Sequence, residues 1–282
     1  MNNDGKSAPL AYRLARRERN KNVQKCLIIL KSLLPKHPRT HRIWSGPLKG
    51  RRIITSWADY PAAIIGLTER PLLEWFKQNV GVGETWLDVG AHYGYTALAL
   101  CQQVGPTGRV FAFEPMAATA GCLARTRYLN GLEQLVVVPL ALGEADGIQR
   151  QKIATIRGMI DSTIQSVSGA GQPTQWSEVI LVAQMDWLWP RIAGDDPTIH
   201  GIKIDVQGME LPVLRGLAGV FKTHRPKLVV ELHRGVDRAE VLALLAEFGY
   251  SPNATPIEPV PGEVEAQFID DRSYAFSPLN GK

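Results

Sequence analysis

No apolar run in the 282 residues approaches the roughly 20 needed to cross a bilayer. The longest early one, Cys26 to Leu30, is also too short for the core of a secretion signal, so the expected location is cytoplasmic. Cysteine is scarce. Cys26, Cys101 and Cys122 are scattered without metal-type spacing and read as reduced thiols. The chain also lacks His-x-His and His-Glu-x-x-His patterns, internal repeats and any Asn-Pro-Pro-Tyr-like run that would grip a flipped base. Acid is missing from the front of the chain. Residues 1–52 carry 14 of the 32 Lys and Arg but only Asp4 and Glu18, whereas the other 230 residues carry 18 basic and 25 acidic side chains. The basicity therefore belongs to an arm, and the acidic body does not suit a nucleic-acid partner.

What remains is an ordinary globular balance, 45% hydrophobic and 21% charged. Two units are expected: a basic, partly helical arm over 1–52 and an α/β domain over 53–282. Residues 10–34 read as a helix with an apolar side (Val23, Leu27, Leu30, Leu34), stopped by Pro35 and Pro38. Such a helix either packs on the domain or meets an anionic surface, so peripheral membrane contact stays open. From residue 85 strands alternate with helices. The strands are expected at 85–89, 109–113, 135–139, 202–206 and 227–232, and the helices at 117–130, 209–221 and 238–248. That rhythm implies right-handed crossovers and a mostly parallel sheet. Residues 144–198 break it with two strands, 149–156 and 178–184, and a Ser/Gly/Gln/Pro-rich loop at 166–177, which reads as a β insertion over one sheet edge. A final strand is expected at 274–277.

The motif richest in chemistry is Asp88-Val89-Gly90-Ala91-His92-Tyr93-Gly94-Tyr95, where the first of these strands hands over to a helix. Gly90 permits a sharp turn, and Gly94 lets the helix begin close to the sheet and to a ligand. The free N–H groups of the first helical turn, around Tyr95 and Thr96, face the crevice beyond the strand ends. Glu114 ends the next strand twenty residues after Gly94, where a carboxylate can accept two hydrogen bonds from a ribose diol. An adenosine cofactor follows. A dinucleotide fingerprint would need Gly-x-Gly-x-x-Gly. Here Asp88 and His92 stand where glycines would admit a pyrophosphate, and an acid suits the cationic S-adenosylmethionine better.

These residues, with Gly108–Pro115, Ala141-Leu142-Gly143, Ile202–Glu210, Leu214-Arg215-Gly216, Arg225-Pro226 and Val230–His233, resemble the FkbM family of methyltransferases in order and spacing over about 66–235. The resemblance implies a Rossmann-like, doubly wound seven-stranded methyltransferase sheet with a reversed last strand. It also implies S-adenosylmethionine as donor and sugar or polyketide hydroxyls as acceptors. Glu69 matches a glutamate that the family often carries. The expected donor-binding set is Glu69, Asp88, Gly90, Ala91, His92, Gly94, Tyr95, Thr96, Glu114, Pro115, Ala141, Leu142 and Asp205. The family's Asp-x-Glu-Gly is Asp205-Val206-Gln207-Gly208 here. If that glutamate is a base or a ligand, the amide cannot replace it; if it only hydrogen-bonds, the amide serves.

Methyl transfer needs an in-line nucleophile, a dry site and often a base. Asp205 and the pair Glu231 and His233 end the fourth and fifth strands, and residues two apart on a strand share a face. His233 is the expected general base, with Asp205 orienting donor or acceptor. Convergence of Asp205, Glu231 and His233 on Mg²⁺ or Mn²⁺ would be a loose fit, and no metal is expected. Glu210 and Arg215, on the following helix, are either an ordinary solvated pair or part of the site. The leading reading is an O-methyltransferase acting on a small-molecule or glycan acceptor, with oligomeric state open. The alternatives are a nicotinamide-dependent oxidoreductase and a donor-binding module without chemistry.

Overall fold

In the computed structural model of the chain, the described residues are 34–152, 177–194, 198–260, 263 and 265–279. The helix expected over 10–34 and the loop expected over 166–177 lie outside them, apart from one end residue each.

The described chain opens with a hairpin, β1 (Arg39–Arg42) antiparallel to β2 (Arg52–Thr55). Ile43, Leu48 and Ile53 of this hairpin are buried in the domain core, so the boundary drawn at 52/53 from charge falls inside a packed element. Two helices follow, α1 (Pro61–Ile65) and α2 (Arg70–Asn79). The alternating units come next: β3 (Thr85–Val89), α3 (Tyr95–Val104), β4 (Arg109–Phe113), α4 (Ala117–Leu129) and β5 (Leu135–Val138). The insertion holds β6 (Ala141–Leu142), β7 (Gly147–Lys152), β8 (Ser177–Ala183) and α5 (Met185–Ile192). The last run is β9 (Gly201–Ile204), α6 (Glu210–Gly216), α7 (Ala218–His224), β10 (Lys227–Leu232), α8 (Arg238–Glu247), β11 (Thr255–Pro256) and β12 (Arg272–Phe276).

Seven strands make the main sheet in the order β11-β12-β10-β9-β3-β4-β5. From β10 to β5 every neighbouring pair is parallel, and β12 runs antiparallel to β10, the reversed strand that the resemblance implies. Strands buried on both faces need apolar residues at successive positions, which β4 has from Val110 to Phe113, while Asp88 interrupts β3 and Lys203 interrupts β9. Leu87, Val89, Ile202 and Ile204 pack on one face with Leu214, Phe221 and Leu245. Trp86, Val110, Ala112 and Val229 pack on the other with Phe76, Leu98 and Ile53. Each Val, Leu, Ile or Phe among them contributes about 1.5–3 kcal/mol on leaving water. Chain order reverses between β3 and β9, so the crevice past their carboxyl ends is where a ligand fits an open sheet of this kind.

Two expectations change in detail. The single helix expected over 209–221 is two, α6 and α7, meeting at Leu217. Asp186 of α5 accepts hydrogen bonds from the N–H groups of Gly219 (2.8 Å) and Val220 (3.1 Å), which caps a new helix start there. Helix α5 itself was not expected, because Pro190 and two tryptophans obscure an eight-residue helix that buries Met185, Leu188 and Trp189. The insertion strands form a small sheet, β6-β8-β7, in which Ile180 and Val182 line the crevice cavity while Val179 and Leu181 alternate outward and are exposed.

Candidate active site

The turn after β3 is tight because other backbone presses on it. Gly90 has φ +81°, and a Cβ there would lie 1.8 Å from the carbonyl oxygen of Asp205. Both the left-handed backbone and the contact demand glycine. Gly90→Ala is expected to cost at least about 2 kcal/mol, a fall of roughly 4 °C or more in thermal midpoint by differential scanning fluorimetry. An unchanged midpoint would show that the turn relaxes freely. Gly94, the residue before α3, also has positive φ, but a Cβ there would strike Leu123 Cδ1 at 2.2 Å. Its role is close helix packing, and it does not line the cavity.

Glu114 lies one residue past β4 and is buried, 6% exposed. Its Oε2 accepts from the N–H of His92 and its Oε1 from the N–H of Met116, both at 3.0 Å. These bonds tie the β4 end to the Gly90–Gly94 turn. Each carboxylate oxygen keeps a lone pair free for the cavity that Glu114 lines. Burial lifts its carboxyl to about 7, against the two backbone bonds, which favour the ionised form.

Asp88 departs from its expected position facing the ligand. It is fully buried, does not line the cavity, and accepts from the Thr96 hydroxyl at 2.7 Å. Sheet register sets it beside Lys203 of β9, whose Nζ is 3.2 Å away. That ammonium also lies 3.4 Å from Asp205 Oδ2 and donates to the Gly90 carbonyl at 3.3 Å. Burial disfavours its charge, but Asp88, Asp205, Glu69 and Glu231 together overcome this and hold it charged. Lys203 is a site residue that sequence reasoning missed. A charged residue between Ile202 and Ile204, on the face that continues to Asp205, was the available signal.

The far end gathers side chains from three segments. Asp205 and Gln207 follow β9, Glu231 belongs to β10, and Glu210 starts α6. Asp205, Gln207 and Glu231 line the cavity; His233 does not, being buried behind them. His233 Nδ1 is 2.6 Å from Glu210 Oε1, and its Nε2 lies 2.8 Å from the Gln207 amide nitrogen, 3.4 Å from Glu231 Oε1 and 3.5 Å from Asp205 Oδ1. Burial opposes charge on the imidazole, but the Glu210 bond and the surrounding carboxylates outweigh it and raise its pKa. Burial likewise lifts Glu231 to about 7, helped by the Asp205 charge. Of the two readings open for Glu210 and Arg215, the solvated pair does not form. Glu210 is fully buried against His233, whereas Arg215 is bound at the surface by Glu144 and Glu240.

Between these ends lies a cavity of about 480 Å³. Glu69, Gly90, Ala91, His92, Tyr95, Thr96, Pro115, Ala141 and Leu142 line it as expected, and Tyr60 joins them. Tyr60 sits against His92 and Tyr95, with ring centroids 5.4 and 6.2 Å apart, so one wall is aromatic. Burial keeps the Glu69 carboxyl above its ordinary range and pushes His92 down to about 4, leaving a neutral imidazole. Acids dominate the walls, and the buried lysine is already held by Asp205 from the wall and Asp88 behind it. A pyrophosphate would meet repulsion here, whereas a cation with an apolar body would not.

Comparison with known proteins places the same stretch in one family: the methyltransferase FkbM domain model matches residues 88–252. Among curated proteins, the chain is 28% identical over 173 residues to the hexuronic acid methyltransferase AglP of Haloferax volcanii. The match covers 60% of this chain and 64% of that relative, under two thirds of its length. Among solved structures, the FkbM methyltransferase of Methylobacillus flagellatus is similar at 19% identity and a TM-score of 0.46, over 77% of this chain and 53% of that one. Fibrillarin of Aeropyrum pernix, with natively bound S-adenosyl-L-methionine, is similar at 12% identity and a TM-score of 0.47, over 85% and 87%.

Proposed function

The chain belongs to the FkbM methyltransferase family, and on that premise we propose that it transfers the methyl group of S-adenosylmethionine to an oxygen of a sugar acceptor. The observation that carries this reading is the single cavity joining a ribose-type acid, Glu114, to the acid pair Asp205 and Glu231. When bound, the donor supplies an electrophilic methyl on a cationic sulfur. Glu114 takes the ribose hydroxyls, and the Gly90–Gly94 turn lets the donor lie against backbone. The aromatic wall of Tyr60 and Tyr95 excludes water and faces positive charge favourably. At the other end Asp205 and Glu231 hold the acceptor hydroxyl and receive its proton. His233 is a positioning residue in this scheme: it lies behind Glu231, fixed by Glu210. The acidic walls disfavour the nicotinamide reading.

The AglP relative makes a uronic acid the first acceptor to try. Full-length protein would be incubated with methyl-labelled S-adenosylmethionine and glycosides of glucuronic acid, glucose and galactose, beside simple polyketide alcohols. Label on a sugar is the expected result and also separates an enzyme from a binding module. Label confined to the polyketide alcohols would overturn the sugar assignment. Failure of the folded protein to bind S-adenosylhomocysteine would overturn the whole reading.

A further inference from the structure

We propose that Asp205, Glu231 and His233 form a binding site for one octahedral divalent cation of the Mg²⁺ or Mn²⁺ type, at the acceptor end of the cavity. One ligand atom from each of these three residues lies within 4.8 Å of the other two. His233 Nε2 is 3.5 Å from Asp205 Oδ1 and 3.4 Å from Glu231 Oε1. Neighbouring ligands around an octahedral cation with bonds near 2.1 Å stand about 3.0 Å apart, so these two contacts need close by only a few tenths of an ångström. Two carboxylate oxygens and an imidazole suit these hard cations.

Four further features point the same way. The first is the support behind the imidazole. Glu210 binds Nδ1 at 2.6 Å and turns Nε2 toward the two carboxylates, the carboxylate–histidine arrangement that supports bound metals. Ser273 donates to Glu231 Oε2 at 3.2 Å, which leaves Oε1 facing the histidine.

The second is the Gln207 amide. Its nitrogen sits 2.8 Å from His233 Nε2 and 3.3 Å from Asp205 Oδ1. The space between the three ligands thus draws positive character. A half-turn of this amide replaces its N–H₂ with a carbonyl oxygen, a fourth ligand of the right kind.

The third is charge. Asp88, Asp205, Glu69 and Glu231 all act on Lys203, and Glu210 backs His233. Carboxyl groups outnumber cationic side chains here, and a counter-ion offsets the cost of burying their charge.

The fourth is independent of the cluster. His92 lines the same cavity with its Nε2 buried and without a hydrogen-bond partner among the described residues. The cavity that Asp205 also lines therefore presents a polar group without a protein partner.

A cation here would give the acceptor end a Lewis acid. On the sugar reading above, on which this consequence rests, it would also let a uronic acid's carboxylate approach two carboxylates of like sign.

The test is binding, read without turnover. Full-length protein stripped with chelator would be titrated with Mn²⁺ and followed by electron paramagnetic resonance of the free ion, and separately titrated with S-adenosylhomocysteine. We expect one saturable Mn²⁺ site, weakened at least tenfold in Asp205→Asn and in Glu231→Gln. Both variants keep their shape, and their fold would be checked by thermal melting. Glu114→Ala should keep Mn²⁺ while losing S-adenosylhomocysteine. Absence of saturable Mn²⁺ binding up to millimolar concentration would overturn the site. So would undiminished binding in both carboxamide variants. Because the two titrations are separate, Mn²⁺ can fail where S-adenosylhomocysteine binds, and the reverse.

Discussion

Glu114→Ala is expected to weaken S-adenosylhomocysteine binding by at least about a hundredfold, roughly 2.7 kcal/mol, in isothermal titration calorimetry. Hydrogen bonds to a charged group are worth about 1.5–3 kcal/mol each, and a ribose diol donates two. The loss of the bonds to His92 and Met116 also loosens the turn against which the donor lies. Glu114→Gln keeps the shape and one good acceptor, so it should fall between the two. The same carboxylate sets a pH dependence. Its carboxyl titrates at about 7 because burial penalises the charge, and the diol binds the ionised form. Affinity should therefore be level above pH 7 and fall about tenfold per unit below it, since the proton must first be displaced. In Glu114→Gln that slope should vanish. A Glu114→Ala variant that folds and binds as tightly as the parent would remove this residue from the donor site.

Lys203→Met should be the most damaging single change to stability. It leaves Asp88, fully buried, with the Thr96 hydroxyl as its remaining contact. Removing one partner of a buried ion pair costs about 3–5 kcal/mol. For a chain of this size that is a drop of roughly 8–15 °C in thermal midpoint. The double variant Asp88→Asn, Lys203→Met should regain much of the loss, because replacing both charges removes the stranded one. Calorimetric melting of the three proteins decides the matter. A single variant within about 1 kcal/mol of the parent would show that water or a proton compensates Asp88.

Both predictions concern residues that a linear reading treats unequally, and the reason is physical. Glu114 is legible because it follows an apolar strand at a fixed distance from the glycine turn, and local order alone places it at a strand end. The reversed β12, the parallel order of β3, β4, β9 and β10, and the insertion after residue 144 are legible for similar reasons. They follow from periodicity, chain connectivity and family resemblance. Lys203 is harder to read. Its importance depends on which strand lies beside β9, and register pairs it with Asp88, 115 positions earlier. The same holds for Glu210. Its position at a helix start suits a solvated acid, and only the packing of α6 against the end of β10 turns it inward to His233.

His233 shows the limit from the other side. Strand alternation correctly puts it on the face of Glu231, but alternation carries no depth, and Gln207 arrives from another segment to stand in front of it. Local sequence thus accounts for the strands, the turn and the donor-side acid, because hydrophobic period, glycine and strand-end chemistry act over a few residues. The partners of buried charges and the identity of the groups that reach the cavity depend on contacts between distant segments, which exist only once the sheet has formed.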